Sequence, residues 1–404
     1  MATNNGFADT DVLVLEGART PFGRFMGGLQ HETPTRLATV AARGAISRAG
    51  IDPQQISSIV LGNVLQAASD AAYLPRHVGL ATDAPVEADA LIVSRACGSG
   101  LEAVIQAARA IRTGEAHTVL AGGTETMSMV PYVLRGARQG YPMGHRKVED
   151  YLLQSLFDSH AGCVIGQTVE HLAKEFGISR AAADQAAVSG QQRALAARER
   201  GYYAEEMVPV TPADGNSEPV TEDESPRPHT TLDGIATLPS LFAASPQDPG
   251  VVTAGNSTGL TDGAAVVVIT SGQQARRQNL RPLGRIVAWG VAGVAPRTMG
   301  IGPVPATRKA LAMAGLQLSD MDVIELNDAF TVQSIAVQQQ LGLDPEKVNP
   351  NGGAIALGHP MGATGTRLIL SALYHLRRQS QRYGLCTLCI GGGQGISVIV
   401  ENLS

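Results

Sequence analysis

The sequence predicts an α/β protein whose regular core is duplicated and interrupted by a long insertion. Three observations carry this. Short β-branched runs alternate with amphipathic helical stretches, which implies a mainly parallel sheet covered on both faces. From 128 to 250 the alternation gives way to helical patterns mixed with polar, Pro-rich loops such as TPADGNSEPVTEDESPRPHTT, the texture of an inserted segment. The regular stretches on either side also resemble each other. AGIDPQQISSIVLGN (49–63) and AGLQLSDMDVIELND (314–328) match at an offset of 265, CGSG at Cys97 falls against HPMG at His359 at 262, and AGG at Gly122 against IGG at Gly391 at 269. Near-constant offsets point to a duplicated half-domain.

Taken in order, DVLVLEGA (11–18) reads as a strand, and TRLATVAARGAISRAG as a helix with apolar residues at helical spacing. SSIVLGNVL, ALIVS (90–94) and HTVLAGG (117–123) are the next strands, with a helix LEAVIQAARAIRTG between the last two. IGQTVEHLAKEFG is a helix of the insertion. Alternation resumes with GAAVVVITS, PLGRIVAWG, PATRKALAMAG, DVIELND, LILSALYHLRRQ and ISVIVENL. The expected division is a first half of 1–127 plus 251–275, an inserted loop domain of 128–250 and a second half of 276–404.

Composition narrows the function. A chain of 404 residues exceeds one ordinary core, and 44% hydrophobic content with only 4% aromatic residues and 46 glycines suits a packed α/β protein with tight turns. A net charge of −5 gives no general attraction to nucleic acid, so none is expected as a partner. Four cysteines at 97, 163, 386 and 389 form no disulfide framework and fit a reducing compartment. MATNNGFADTD has neither a basic and apolar leader nor an Arg-rich amphipathic pattern, no apolar run is long enough for a membrane span, and ENLS is no peroxisomal address. The expectation is a cytoplasmic location.

Chemistry concentrates at two cysteines and a histidine, each at a glycine-rich turn. Cys97 precedes GSG and a helix. Amides and the positive dipole end there are expected to lower the thiol pKa and to leave N–H groups for an oxyanion. Read alone, such a cysteine is more often a small buried hydrophobe. Cys386 and Cys389 form CxxC, a redox pair or half a zinc site, but no second such pair or His cluster lies near, and no metal is expected. GGGQG lacks the Lys-Ser/Thr ending of a phosphate loop, and its glycines suit close backbone approach to a ligand. His359 in GHP alone would be a satisfied turn histidine, and Asn327 after an apolar strand a helix cap.

These residues stand in longer stretches that resemble the thiolase family over almost the whole chain. The stretches are ARTPFGRF, CGSGLEA, AGGTETMS, TAGNSTGLTDGAA, GIGPVPATRKAL, LNDAF, NPNGGAIALGHPMGATGTR and LCIGGGQG. The resemblance implies two βαβαβαββ halves in a five-layered αβαβα core, an inserted loop domain, and a homodimer or homotetramer in which that insertion supplies tetramer and coenzyme A contacts.

The resemblance also implies the chemistry. Cys97 is expected to attack an acyl thioester and carry the acyl group. His359 is expected to favour the thiolate, while N–H groups of Cys97 and Gly391 stabilise the tetrahedral oxyanion. Cys389 is the expected acid/base cysteine acting on acetyl-CoA, whose enolate oxygen His359 and a water on Asn327 would hold. The substrates implied are acyl-CoA, acetyl-CoA and CoA, without a permanently bound cofactor. Arg227 matches a basic residue near the CoA nucleotide, Ser257 and Thr258 stand by the pantetheine, and Met299 and Phe330 line the acyl end. Where the family has Asn-Glu-Ala-Phe this chain has Asp328 in the second place, and Val164, Ile165, Gly166 replace the His-Met-Gly of acetoacetyl-CoA thiolases. Two further readings are a decarboxylating ketoacyl synthase, disfavoured because Cys389 is retained, and a thiolase-like partner or scaffold with little activity of its own.

Overall fold

The computed structural model describes residues 6–213, 218–243, 245 and 248–404. The first half contributes strands β1 (Val12–Arg19), β2 (Ser58–Gly62), β3 (Asp89–Val93), β4 (Thr118–Thr126) and β5 (Thr261–Ser271). Its helices are α1 (Pro34–Ala49), α2 (Leu74–Ala81) and α3 (Ser99–Thr113). Helices α4 (Ile165–Glu175) and α5 (Arg180–Glu199) belong to the stretch between β4 and β5. The second half has β6 (Gly284–Gly293), α6 (Pro303–Ala314), β7 (Val323–Leu326), α7 (Thr331–Leu341), α8 (Met361–Gln379), β8 (Tyr383–Ile390) and β9 (Gln394–Asn402).

Local chemistry sets these elements. Thr33 caps α1 by accepting from the Arg36 N–H, Pro34 opens its first turn, and Gly50 closes it in the left-handed region. Helix α8 is buried on nearly every side over its first fourteen residues, which marks it as a central helix.

The strands run in the order β7-β8-β9-β6-β1-β5-β4-β2-β3. This corrects the expectation of a mainly parallel sheet. Only β2–β3, β2–β4 and β7–β8 are parallel, whereas β1–β5, β5–β4, β1–β6, β6–β9 and β8–β9 are antiparallel. Each half ends in two neighbouring strands that pair antiparallel, β4 with β5 and β8 with β9. The halves meet edge to edge over a three-residue register, Val12–Val14 against Gly284–Ile286.

Five layers follow from the cores. Helices α1 and α2 pack on one face of the first-half sheet around Leu37, Ala41, Leu61 and Val266. Helices α3 and α8 form the middle layer, burying Val104, Ile105, Leu368 and Leu370 with Val119, Leu388 and Val398. Helices α6 and α7 cover the outer face of the second-half sheet, where Val304, Ala310, Leu326 and Val337 pack with Leu385 and Ile399. In the middle layer the two backbones nearly touch. A Cβ on Gly365 would lie 2.3 Å from the Leu101 N and one on Gly100 2.8 Å from the Gly362 O, so only glycine fits either place.

The parallel ladders fix the internal repeat. Ser58 pairs with Val119 in the first half and Val323 with Gly384 in the second, so both strands keep the offset of 265. The match of Gly122 with Gly391 at 269 is therefore corrected: Gly122 corresponds to Thr387, and Gly391 falls just past the strand. Helices α3 and α8 start 262 residues apart, as the Cys97 and His359 turns require. β8 joins β9 through Gly391, Gly392 and Gly393, whereas the equivalent β4 and β5 are separated by residues 127–260, so the insertion occupies the place of that glycine turn.

Fully buried Arg19, at the end of β1, fastens the insertion to the core. It donates to Glu206 at 2.6 Å and to both oxygens of Asp223 at 2.7 and 2.9 Å. Charges at this depth persist only when paired in this way.

Candidate functional site

The turns at the strand ends converge where the halves meet. Cys97 lies on a tight turn in which the Ser99 hydroxyl accepts from the Arg95 N–H and donates to the Ala96 carbonyl, at 2.8 and 2.6 Å. Ala96 is held at φ +42°, a left-handed conformation costly for a residue with a Cβ, immediately before the thiol. The Arg95 guanidinium donates to Glu102 at 2.7 Å and to the Gln394 side-chain Oε1 at 2.9 Å, tying this turn to the start of β9. Gly98 completes the contact: a Cβ there would sit 2.6 Å from the Ile390 Cδ1.

That contact brings the second cysteine beside the first. Cys389 is buried near the end of β8, and the backbone N–H groups of Gly391 and of Cys97 itself lie near enough to the Cys97 sulfur to lower its pKa. The expected lowering of the Cys97 pKa is corrected. Burial pushes the thiol up to about 11, with Glu125 adding to the rise, and the two N–H groups recover only part of it. The residue is half-buried, and desolvation is the largest influence on its thiol. Burial pushes Cys389 up as well, and a charge on Cys97 adds to it. Both are thiols at rest. Cys386 is buried in the middle-layer core, and Cys163 lies in the insertion.

His359 sits before α8 on the turn that follows Gly358, its backbone N–H donating to the Thr261 hydroxyl at 3.0 Å. Its Nδ1 is 2.6 Å from the Thr364 Oγ1 and its Nε2 is 3.4 Å from the Asn327 Nδ2. Burial, helped by the Arg367 charge, pushes the imidazole down to about 3. It is neutral, so it does not favour a resting thiolate through its charge. Asn327 follows β7 and is fully buried, its backbone N–H donating to the Thr387 carbonyl at 3.0 Å.

Asp328 points away from Asn327. Its carboxylate accepts from the Ala354 N–H at 2.5 Å and so holds the start of the short helix 354–357 that leads to His359. Burial lifts this carboxyl to about 6 although the N–H groups of Ala354, Asp328 and Ile355 oppose the shift.

Met299 and Phe330 pack in the cluster that contains Cys389, together with Ile165, Val169, Leu172 and Ile301. Ile165 also approaches the glycine turn, 3.7 Å from a Cβ built on Gly391. Ser257 forms a bridge with Phe330, while the Thr258 hydroxyl donates to the Ala354 carbonyl at 2.8 Å, so its proton serves the short helix instead of a ligand. Arg227 is exposed, and its backbone N–H donates to Gln191 of α5 at 2.8 Å.

Two residues of this site carry no sequence signal of their own. Glu125, within AGGTETMS, is fully buried and accepts from the Val64, Leu65 and Gly362 N–H groups and the Asn63 amide at 2.9 to 3.2 Å, joining the loop after β2 to the first turn of α8. Burial pushes its carboxyl to about 8. Arg367 pairs with Glu325 at 3.0 Å beneath the site. Both lie in quoted motifs, but only the fold reveals what they face. Among the described residues no cluster of three or more metal-ligating side chains occurs, and no helix is long and apolar enough to cross a membrane.

Comparison with known proteins gives consistent matches. The family model for the thiolase N-terminal domain matches residues 12–273, and that for the thiolase C-terminal domain residues 280–402. The rat mitochondrial 3-ketoacyl-CoA thiolase is 45% identical over 97% of this chain and 98% of its own. An acetyl-CoA acetyltransferase of Cupriavidus necator is 42% identical over 97% and 99%. The crystal structure of human mitochondrial 3-ketoacyl-CoA thiolase in complex with CoA superposes with a TM-score of 0.94 at 44% identity, covering 97% of this chain and 98% of that one.

Proposed function

Since the chain belongs to the thiolase family and is a CoA-dependent acyltransferase of 3-ketoacyl-CoA cleavage and the reverse Claisen condensation, we propose that Cys97 carries the acyl group and Cys389 moves the α-proton. The observation that supports this division is the nearness of the two thiols, half-buried Cys97 and buried Cys389, with the Gly391 and Cys97 N–H groups near the Cys97 sulfur, beside a buried His359 paired with Asn327.

In the acylation step His359 Nε2 takes the Cys97 proton as the sulfur bonds to the thioester carbonyl. The Gly391 and Cys97 N–H groups receive the oxyanion. The carbon to CoA-sulfur bond then breaks, and the proton passes from His359 to the departing sulfur. In the condensation step the Cys389 thiol gives its proton to His359 Nε2 and, as thiolate, removes the α-proton of acetyl-CoA, while the Nε2–H of His359 and a water on Asn327 hold the enolate oxygen. The enolate carbon bonds to the acyl carbonyl, and the Cys97 sulfur leaves and takes its proton from His359. Thiolysis runs the same steps backwards.

The substrate class in this reading is a 3-ketoacyl-CoA with an aliphatic tail longer than that of acetoacetyl-CoA. Ile165, Met299, Ile301 and Phe330 line the side of Cys389 with hydrocarbon, and such walls gain from each methylene they bury. CoA enters as substrate, and no permanent cofactor is part of the reading. Four unpaired thiols suit a reducing compartment, and a cytoplasmic location belongs to the proposal.

Assembly is included as a homodimer or homotetramer. β3 ends the sheet, pairs only with β2 and exposes Asp89, Ala90 and Leu91, an edge that a second copy could cover. The insertion exposes Tyr132, Leu134, Met143, Val148 and Leu153, an apolar surface suited to contact between dimers. Assay of CoA-dependent cleavage over a series of 3-ketoacyl-CoA chain lengths tests the function. Cleavage rising beyond four carbons supports it. Cleavage confined to acetoacetyl-CoA overturns the chain-length part, and no cleavage at any length leaves the scaffold reading.

A further inference from the structure

We propose that Thr364 is the positioning residue of His359, holding the ring while leaving both imidazole tautomers available. The inference rests on the roles proposed above for His359.

The His359 ring has a hydroxyl for its orienting partner. Nδ1 lies 2.6 Å from the Thr364 Oγ1, which is fully buried one turn into α8, and that Oγ1 is also 3.0 Å from the Pro360 carbonyl. Nε2 lies 3.4 Å from the Asn327 Nδ2, a donor that suits a lone pair on Nε2, and the Asn327 Oδ1, buried without a partner, would face an Nε2–H once the amide turned over; the backbone N–H is taken by Thr261, and the Arg367 charge acts on the ring as well.

A hydroxyl has one hydrogen and here has two acceptors within reach. When it donates to the Pro360 carbonyl, its oxygen accepts Nδ1–H, and Nε2 presents a lone pair. When it donates to Nδ1, the proton of the ring must be on Nε2. The reaction asks for both forms: Nε2 accepts the Cys97 proton in acylation and presents an N–H to the enolate oxygen in condensation. A carboxylate in the place of Thr364 would bind Nδ1–H only, and would fix Nε2 as an acceptor while raising the imidazole pKa. The threonine methyl also keeps the helix turn filled, so orientation and tautomer freedom come from one side chain.

The test compares Thr364→Val, which keeps the shape and removes the hydroxyl, with Thr364→Ser, which keeps the hydroxyl, in the full-length protein. Thr364→Val should lower kcat for thiolysis by about 10- to 100-fold, the usual cost of losing an orienting partner, with KM little changed. Thr364→Ser should stay close to the unaltered enzyme. Equal losses in both variants, or an unchanged kcat in Thr364→Val, would overturn the inference. Nitrogen-15 spectra of the histidine-labelled, unaltered enzyme give a readout independent of folding of the variants. Ring nitrogen shifts for His359 that lie between the protonated and unprotonated extremes support it, whereas one nitrogen fixed at each extreme, with and without CoA, would overturn it. His359→Gln separates the two levels. If that variant keeps both partial reactions, the proposed role of His359 fails; if it loses them while Thr364→Val does not, only the role of Thr364 fails.

Discussion

The Asn327 side-chain amide lies 3.4 Å from the His359 Nε2, joining the end of β7 to the turn that opens α8. The Cys97 and Cys389 sulfurs are close enough for charge on the first to raise the pKa of the second. His359 is neutral and both thiols are protonated at rest. The nucleophile is therefore made during the reaction, by proton transfer to a neutral imidazole, and a stored thiolate plays no part.

Alkylation of the free enzyme should report this. With the Cys97 thiol pushed up to about 11, the thiolate fraction at pH 7 is roughly 1 in 10⁴, and reaction of Cys97 with iodoacetamide should climb about tenfold per pH unit between 7 and 10. Peptide mass mapping across that range checks the slope. A plateau already reached by pH 7 would show a stabilised thiolate.

Asp328 should make stability depend on pH. Its carboxyl is raised from an ordinary 3.8 to about 6, so the folded chain holds this proton more tightly than the unfolded chain. Its contribution is full below about 3.8 and is lost as pH rises through about 6. Asp328→Asn keeps an acceptor for the Ala354 N–H and removes the buried charge. Urea unfolding should find the variant gaining on the unaltered protein between pH 4.5 and 7.5, and a constant difference over that interval would contradict the assignment.

Arg19→Met should cost about 3–5 kcal/mol, because it leaves Glu206 and Asp223 buried without their shared cation. Denaturant unfolding measures the loss. The variant should also release the insertion, seen as faster amide exchange around 206 and 223 than at the ends of β4.

Leu91→Arg should weaken assembly. Leu91 is 48% exposed on the edge strand, and a charge there opposes pairing with another edge. Light scattering at micromolar concentration should find a dimer or tetramer for the unaltered chain and a lower mass for the variant. A monomer in both would remove the proposed assembly.

Much of this was legible in the sequence because the signals are local. The strand runs, the helix of Cys97 and the glycine turns each depend on a few neighbouring residues, and the duplicated pattern gave the pairing of the Cys97 and His359 turns. Strand direction was less accessible. The antiparallel returns of β5 and β9 depend on how each half closes, and GGG beside AGG misled the alignment by four residues because two glycine runs look alike wherever they fall. The pKa of Cys97 escaped as well: a helix start can be read from spacing, but desolvation by burial and the charge of Glu125 require the tertiary contact. Glu125, Arg367 and Thr364 stood in quoted motifs without a role, since their partners lie on distant segments.

The central claim is that Cys97 and Cys389 divide the reaction, and both partial reactions measured on both folded alanine variants test it most directly. Cys389→Ala should still accept an acetyl group on Cys97 from acetyl-CoA, while exchange of the acetyl-CoA α-protons with deuterated solvent falls by about 10² to 10⁴, the usual contribution of a general acid/base. Cys97→Ala should lose acetylation and keep exchange. Near-normal α-proton exchange in Cys389→Ala, or acetyl found on Cys389 instead of Cys97, would contradict the account.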